Sequence, residues 1–302
     1  MRLLIVWPLL LALLAFPTPG LADIAPSPLA GLSEPRPMDA KAAQGISMKH
    51  ETVTIELHDA YALIDATFTM ANPGPPKELQ VGFPGRNVRL DDLQEHAAHE
   101  PLEGFSVWVE GQAVPSEARE VERSIPTWPP GSGRTRTQRE TWHVFTTRFA
   151  QGDTKIRVRY GVVSSPYSGR SAHTGEQLID GRRVWYILET GGLWAGPIGE
   201  IVVRIQARGG VKPESIRVRT QARDTRWKVP KPGAASPSLE TSRDKEGITL
   251  RCKRLDATRS DNLQIVYSPD PQRIPRTKFL LDTRPATRLL REALGVQDGP
   301  PE

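Results

Sequence analysis

The chain has 302 residues, with 28 prolines, 25 glycines, one cysteine and a net charge of +5. At roughly 150 residues per domain the length points to two domains, and proline well above its usual ~5% disfavours a mainly helical fold, because the ring removes an amide donor and clashes inside a helix. The single cysteine excludes an intrachain disulfide framework and a zinc site built from several thiolates.

Residues 1–22 read as an export signal. Arg2 supplies a positive end, Leu3 to Phe16 form an apolar run broken only by Pro8, and Gly20 and Ala22 place small residues where a signal peptidase reads. The run is shorter than the ~20 residues a bilayer span needs, and no second apolar stretch of that length follows. The expectation is a mature chain from Asp23, without a membrane span, that is periplasmic or secreted. Losing Arg2 lowers the net charge by one to +4, which gives little reason to expect a nucleic-acid partner.

Residues 23–45 hold several prolines and little periodicity, and read as a linker. Alternation then begins. Val53, Ile55 and Leu57 share one side of a strand and Thr52, Thr54 and Glu56 the other, the period-two signature of a half-buried ribbon. Ile64, Ala66, Phe68 and Met70 mark a second strand, and Asn72 to Pro76 (NPGPP) a reversal. Leu79, Val81 and Phe83 mark a third, and Phe105, Val107 and Val109 a fourth that ends in a tight turn at Glu110 to Gln112. Strands follow over Thr141 to Phe149 and over Ile156 to Val162, the latter with Lys155, Arg157 and Arg159 outward. Ser164 to Asp180 reads as a surface crossover and the boundary between domains. Beyond it, strands are expected around Val184 to Leu188, Ile201 to Ile205, Ser215 to Thr220, Trp227 to Val229, Ile248 to Cys252 and Leu263 to Tyr267. Cys252 alternates with Ile248 and Leu250 and is expected in the core. Leu90 to Glu100 could form a short helix or an acidic loop. Ala286 to Leu294 reads as a short helix, opened by Pro285 and closed by Gly295.

The fold class that results is all-β: two antiparallel, immunoglobulin-like β-sandwich domains, over 46–163 and 164–270, followed by a tail over 271–302 carrying the helix. The densest local pattern is Trp185 to Gly199 (WYILETGGLWAGPIG), in which a strand runs into a glycine corner and Trp194 is expected to fold back over the core. This segment, together with Asp23 to Pro26, Ile46 to Met48 and Met70 to Pro84, resembles uncharacterised exported bacterial proteins that carry a β-rich domain of unknown function. The resemblance spans about Asp23 to Ala207. It implies export and a β-sandwich, and it brings no reaction, cofactor or catalytic residue.

Chemical motifs are sparse. Ser242 to Lys245 fits S-x-x-K and Ser260 to Asn262 reads S-D-N, but Lys245 runs into Glu246, Gly247 and a strand instead of a helix, so an acyltransferase reading fails. Asp92, His96 and His99 could converge on a metal if their segment were helical; this is the route to an alternative reading as a metal-dependent hydrolase. The catalytic-zinc pattern H-E-x-x-H is missing. The segment Ile125 to Trp142 interleaves Trp128 and Trp142 with Arg134, Arg136 and Arg139 beside prolines and glycines, the composition of a binding loop that stacks on sugars and pairs with anions. The preferred expectation is an exported, non-enzymatic binding or structural protein of the cell envelope, without a cofactor, that meets an anionic envelope glycan or an envelope protein. A further possibility makes the C-terminal helix a docking face for a partner.

Overall fold

The structure, a computed structural model, describes residues 31–33, 36–39, 41–85, 102–126, 135–170, 177–188, 194–222, 240–255, 261–268 and 284–296. It is strongly β-rich. Its strands are β1 (Gly31–Ser33), β2 (Arg36–Pro37), β3 (Ser47–Leu57), β4 (Tyr61–Asn72), β5 (Lys77–Gly85), β6 (Glu103–Val109), β7 (Gln112–Val114), β8 (Glu117–Pro126) and β9 (Thr135–Phe149). They continue with β10 (Gly152–Val163), β11 (Ser165–Arg170), β12 (Gln177–Ile187), β13 (Ile198–Ala207), β14 (Arg217–Ala222), β15 (Glu240–Arg243), β16 (Gly247–Leu255) and β17 (Asp261–Tyr267). Among the described residues one α-helix, α1 (Arg284–Leu294), follows.

These strands form three sheets. The largest has the order β15-β16-β13-β3-β4-β10-β6-β7, the second β1-β12-β17-β14 with β11 beside β12, and the third β2-β5-β9-β8. The alternation seen in sequence decides which face of the large sheet is buried. One transverse row runs Ile248, Ile205, Ile55, Ile64, Tyr160 and the next Leu250, Val203, Val53, Ala66, Val158, Val107. Every member of both rows is buried. The smaller sheets lie against this inner face. Phe83 of β5 meets Phe68 and Tyr160 at ring separations of 6.2 and 5.6 Å, while the Tyr186 hydroxyl of β12 donates to Glu51 of β3. The Tyr267 hydroxyl of β17 donates to the His58 carbonyl at 2.9 Å.

The division into two sandwiches expected at residue 164 is not the one the sheets follow. β13 pairs with β3 in parallel, Val203 against Val53, so the large sheet takes strands from both sides of that position. One continuous core joins residues from Ala43 to Tyr267. The expected crossover is itself β11 paired with β12, and Ser164 is buried with its hydroxyl bonded to Tyr267. The expected linker also contributes structure: Gly31 to Ser33 pair in parallel with β12 and Arg36 to Pro37 pair with β5, tying one short run to both smaller sheets.

Local expectations fare better. Asn72 organises its reversal, donating from Nδ2 to the Pro75 carbonyl at 2.9 Å and accepting at Oδ1 from the Gly74 amide at 3.1 Å. Glu110 and Gly111 adopt φ of 49° and 79°, the paired positive values of the tight turn between β6 and β7. Cys252 is buried, and Trp194 is buried with its ring 5.8 Å from that of Phe149. The expected strand at Trp227 to Val229 and the segment Leu90 to Glu100 lie outside the described residues.

Helix α1 belongs to the fold. Ala286 and Leu290 are buried, and Leu290 packs so closely on β10 that a Cβ at Gly161 would collide with its Cδ1. The reading of this helix as a free docking face therefore gives way: the apolar stripe that suggested it is consumed by Ala60, Tyr61, Val163 and Gly161 at one end of the large sheet. Of its leucines only Leu289, 46% exposed, points outward.

Candidate functional site: the open face of the large sheet

A strand with one buried face must present the other, and among the described residues only α1 packs on that second face of the large sheet, at one end. Its side chains fall into transverse rows. The first runs Thr249, Arg204, Thr54, Asp65, Arg159, Ser106; the second Arg251, Val202, Thr52, Thr67, Arg157, Trp108; the third Lys253, Glu200, His50, Thr69, Lys155. Four threonines on β3 and β4, with Asp65 and His50 at the two remaining positions, thus make a central lane two strands wide. To one side stand Arg204 of β13 and Arg251 and Lys253 of β16, with Glu200 and the buried Val202 of β13 between these last two and the lane; to the other stand Lys155, Arg157 and Arg159 of β10. Neighbouring strands are ~4.8 Å apart, so the walls at β13 and β10 are roughly 14 Å from each other.

The two walls differ in electrostatics. On β10, Arg157 grips Asp65, with Nε 2.9 Å from Oδ1, and its guanidinium lies 5.4 Å from the centre of the Trp108 ring. Arg159 approaches the same carboxylate at 3.6 Å. The hydrogen bond to Asp65 raises the Arg157 pKa further, so this cation is permanent. Arg157 and Arg159 nevertheless remain about half exposed, at 49% and 52%. On the opposite wall Arg204, Arg251 and Lys253 are exposed, and among the described residues no carboxylate holds any of them in an ion pair. Glu200, beside Lys253 in register, turns to His50 at 3.5 Å.

The residues singled out from sequence are distributed differently. Trp128 and Arg134 lie outside the described residues. Arg136 and Arg139 are on β9, opposite Ile125 and Glu122 of β8, so the expected loop is mostly an extended hairpin with residues 127–134 between its strands. Trp142, at the base of that hairpin, is buried: a Cβ on Gly82 would meet its ring at 2.6 Å. Its indole packs on the sheet, so it is no open stacking platform. Asp92, His96 and His99 lie outside the described residues. Among the described residues no group of three His, Cys, Asp or Glu side chains is placed to hold a metal ion. Ser242, on β15, leads into a hairpin turn in which Asp244 Oδ1 accepts from the Glu246 and Gly247 amides at 2.8 and 3.0 Å, so no helix N-terminus activates that serine.

Titratable groups also occur in the interior. His143 stacks on Phe105 at 4.5 Å, its Nε2 is buried without a hydrogen-bond partner among the described residues, and desolvation lowers its pKa to about 4. Tyr267, wholly buried, has its pKa pushed far up by desolvation. Both stay neutral and serve packing. Sequence alternation had already put Thr52, Thr54, Arg157 and Arg159 outward. What it lacked was the strand order that sets them in one surface.

Comparison with known proteins supports the fold. No protein-family profile matches the chain, and no curated protein matches it. Among solved structures, a Legionella pneumophila protein described as a candidate nutrient-binding protein superposes with a TM-score of 0.50 at 16% identity, covering 79% of this chain and 70% of that one. An M1 zinc metallopeptidase from Deinococcus radiodurans shows a TM-score of 0.32 at 11% identity, covering 74% of this chain and 42% of that one. The first likeness bears on the fold alone. Among the described residues, no helix is long and apolar enough to cross a membrane.

Proposed function

We propose that the chain is an exported, non-enzymatic binding or structural protein of the bacterial cell envelope, and that its contact surface is the open face of the large sheet. The observation that carries this reading is the arrangement of that face: cations outnumber the carboxylates Asp65 and Glu200 among mainly polar side chains held in register over a width of six strands, with no second layer above them beyond α1 among the described residues. Rigid elements present a surface at little ordering cost on binding, which favours recognition by shape and charge. The Legionella protein's description as a candidate nutrient binder is of the same kind, a binding role on a similar fold. The β8–β9 hairpin, with Arg134, Arg136, Arg139 and Trp128, is proposed as a second contact with the same partner, an anionic envelope glycan or an envelope protein.

The test is capture from envelope extract at two salt concentrations, comparing the parent protein with an Arg204→Glu, Arg251→Glu variant. Charge reversal should abolish the salt-sensitive fraction, since exposed charges act within a screening length of about 8–10 Å. Equal capture by both proteins would remove the sheet face from consideration.

A further inference from the structure

The face has a shape as well as a charge, and the two together select a class of ligand. Threonine is short and arginine and lysine are long, so the registered rows make a trough: Thr52, Thr54, Thr67 and Thr69, with Asp65 at one end and His50 at the other, form the floor, Arg204 of β13 and Arg251 of β16 one wall, Lys155 and Arg157 of β10 the other. It runs along the strands. Three rows, each two residues apart, give it a length of roughly 13 Å. Helix α1 closes one end, where Leu290 and Leu294 cover Gly161, the cross-strand partner of Leu63. The other end, at His50, Thr69 and Lys155, has no such cover from α1.

We infer that this trough binds a linear acidic polysaccharide lying along the threonine lane, its carboxylates reaching the cations of both walls. The inference rests on the binding role proposed above and names the ligand for that surface. Charge complementarity fixes the sign of the ligand: among the described residues Arg204, Arg251 and Lys155 carry no ion pair to a carboxylate of the protein, whereas Arg157 is already shared with Asp65. The floor fixes its chemistry. Each threonine offers a hydroxyl that donates and accepts, together with a methyl group, and so matches a ligand rich in hydroxyls with apolar ring faces between them. An acidic polypeptide offers the floor only its main-chain amides, without the dense hydroxyls and apolar ring faces of a sugar chain. The Trp108 ring, next to Arg157 in register, adds an aromatic flank on which a sugar face can rest.

The test measures binding of oligogalacturonate, a neutral glucan of matched length and poly-glutamate to the whole protein at low salt. Oligogalacturonate should bind, and the neutral glucan should not. An Arg204→Ala, Arg251→Ala, Lys155→Ala variant should weaken oligogalacturonate about tenfold, as expected for three exposed charges. Thr52→Val with Thr67→Val, which keeps strand propensity and removes only hydroxyls, should weaken oligogalacturonate several-fold and leave poly-glutamate unchanged. Poly-glutamate binding as tightly as oligogalacturonate, with both lost in the triple variant, would overturn the polysaccharide assignment while the face kept its binding role. Oligogalacturonate binding unchanged in the triple variant would overturn the trough itself.

Discussion

Arg291 of α1 grips Glu103 of β6 with two hydrogen bonds, Nε to Oε2 at 3.0 Å and Nη2 to Oε1 at 3.1 Å. The Glu103 side chain is only 8% exposed. Removing the guanidinium leaves a buried carboxylate without its cation, so Arg291→Ala should cost about 1–3 kcal/mol in a urea titration. Truncation before Arg284 should cost more, because Ala286 and Leu290 leave the core with it. Unchanged stability on truncation would restore the helix to the role of an accessory.

Gly199 reports on how the two halves of the chain are joined. A Cβ there would lie 2.5 Å from the Lys49 carbonyl oxygen, where β13 meets β3. A main-chain atom cannot rotate aside, so Gly199→Ala should destabilise by roughly 3 kcal/mol, the upper part of the overpacking range. Gly74→Ala, whose nearest neighbour would be the Asn72 side chain at 3.6 Å, should be close to neutral under the same measurement.

His143 makes stability depend on acid. Its folded pKa of about 4 lies below its ordinary value of 6.5, so between these pH values the unfolded chain binds a proton that the folded chain refuses. The contribution is therefore complete above pH 6.5 and is lost as pH falls toward 4, at most about 3 kcal/mol. His143→Leu should flatten that part of the stability–pH curve. A remainder should persist, because desolvation lowers the His58 pKa in the same direction. An identical pH curve for variant and parent would show that the stack on Phe105 opens to water.

The β8–β9 hairpin can be separated from the sheet face. Replacing Arg134, Arg136 and Arg139 together with alanine should lower low-salt binding of an anionic glycan several-fold, on the usual scale for exposed charges. Binding equal to the parent would confine recognition to the trough.

Local structure was legible in the chain because local rules decide it. Val53, Ile55 and Leu57 announce β3, Asn72 the reversal after β4, and Pro285 with Gly295 the two ends of α1. The sheet partition was not legible. Nothing near Val203 says that it will lie beside Val53 and not beside a strand of its own half, because that pairing is settled by which apolar faces can close together. The same gap hid the site: Thr52, Thr54, Arg157 and Arg159 each read as an outward residue, and only the strand order sets them in one surface with Arg204. Trp142 failed in the other direction. Its arginine-rich surroundings suggested a loop, whereas the bare backbone of Gly82 provides the space that buries it.

The parallel contact between β3 and β13 also shapes how the chain can mature. His50 pairs with Glu200, so β3 has one unsatisfied edge until about 150 further residues have been made. Through that interval a long ribbon with one apolar face exposes main-chain donors and acceptors to any passing strand. A late step in which the second half zips onto the first is what this topology demands of the folding chain.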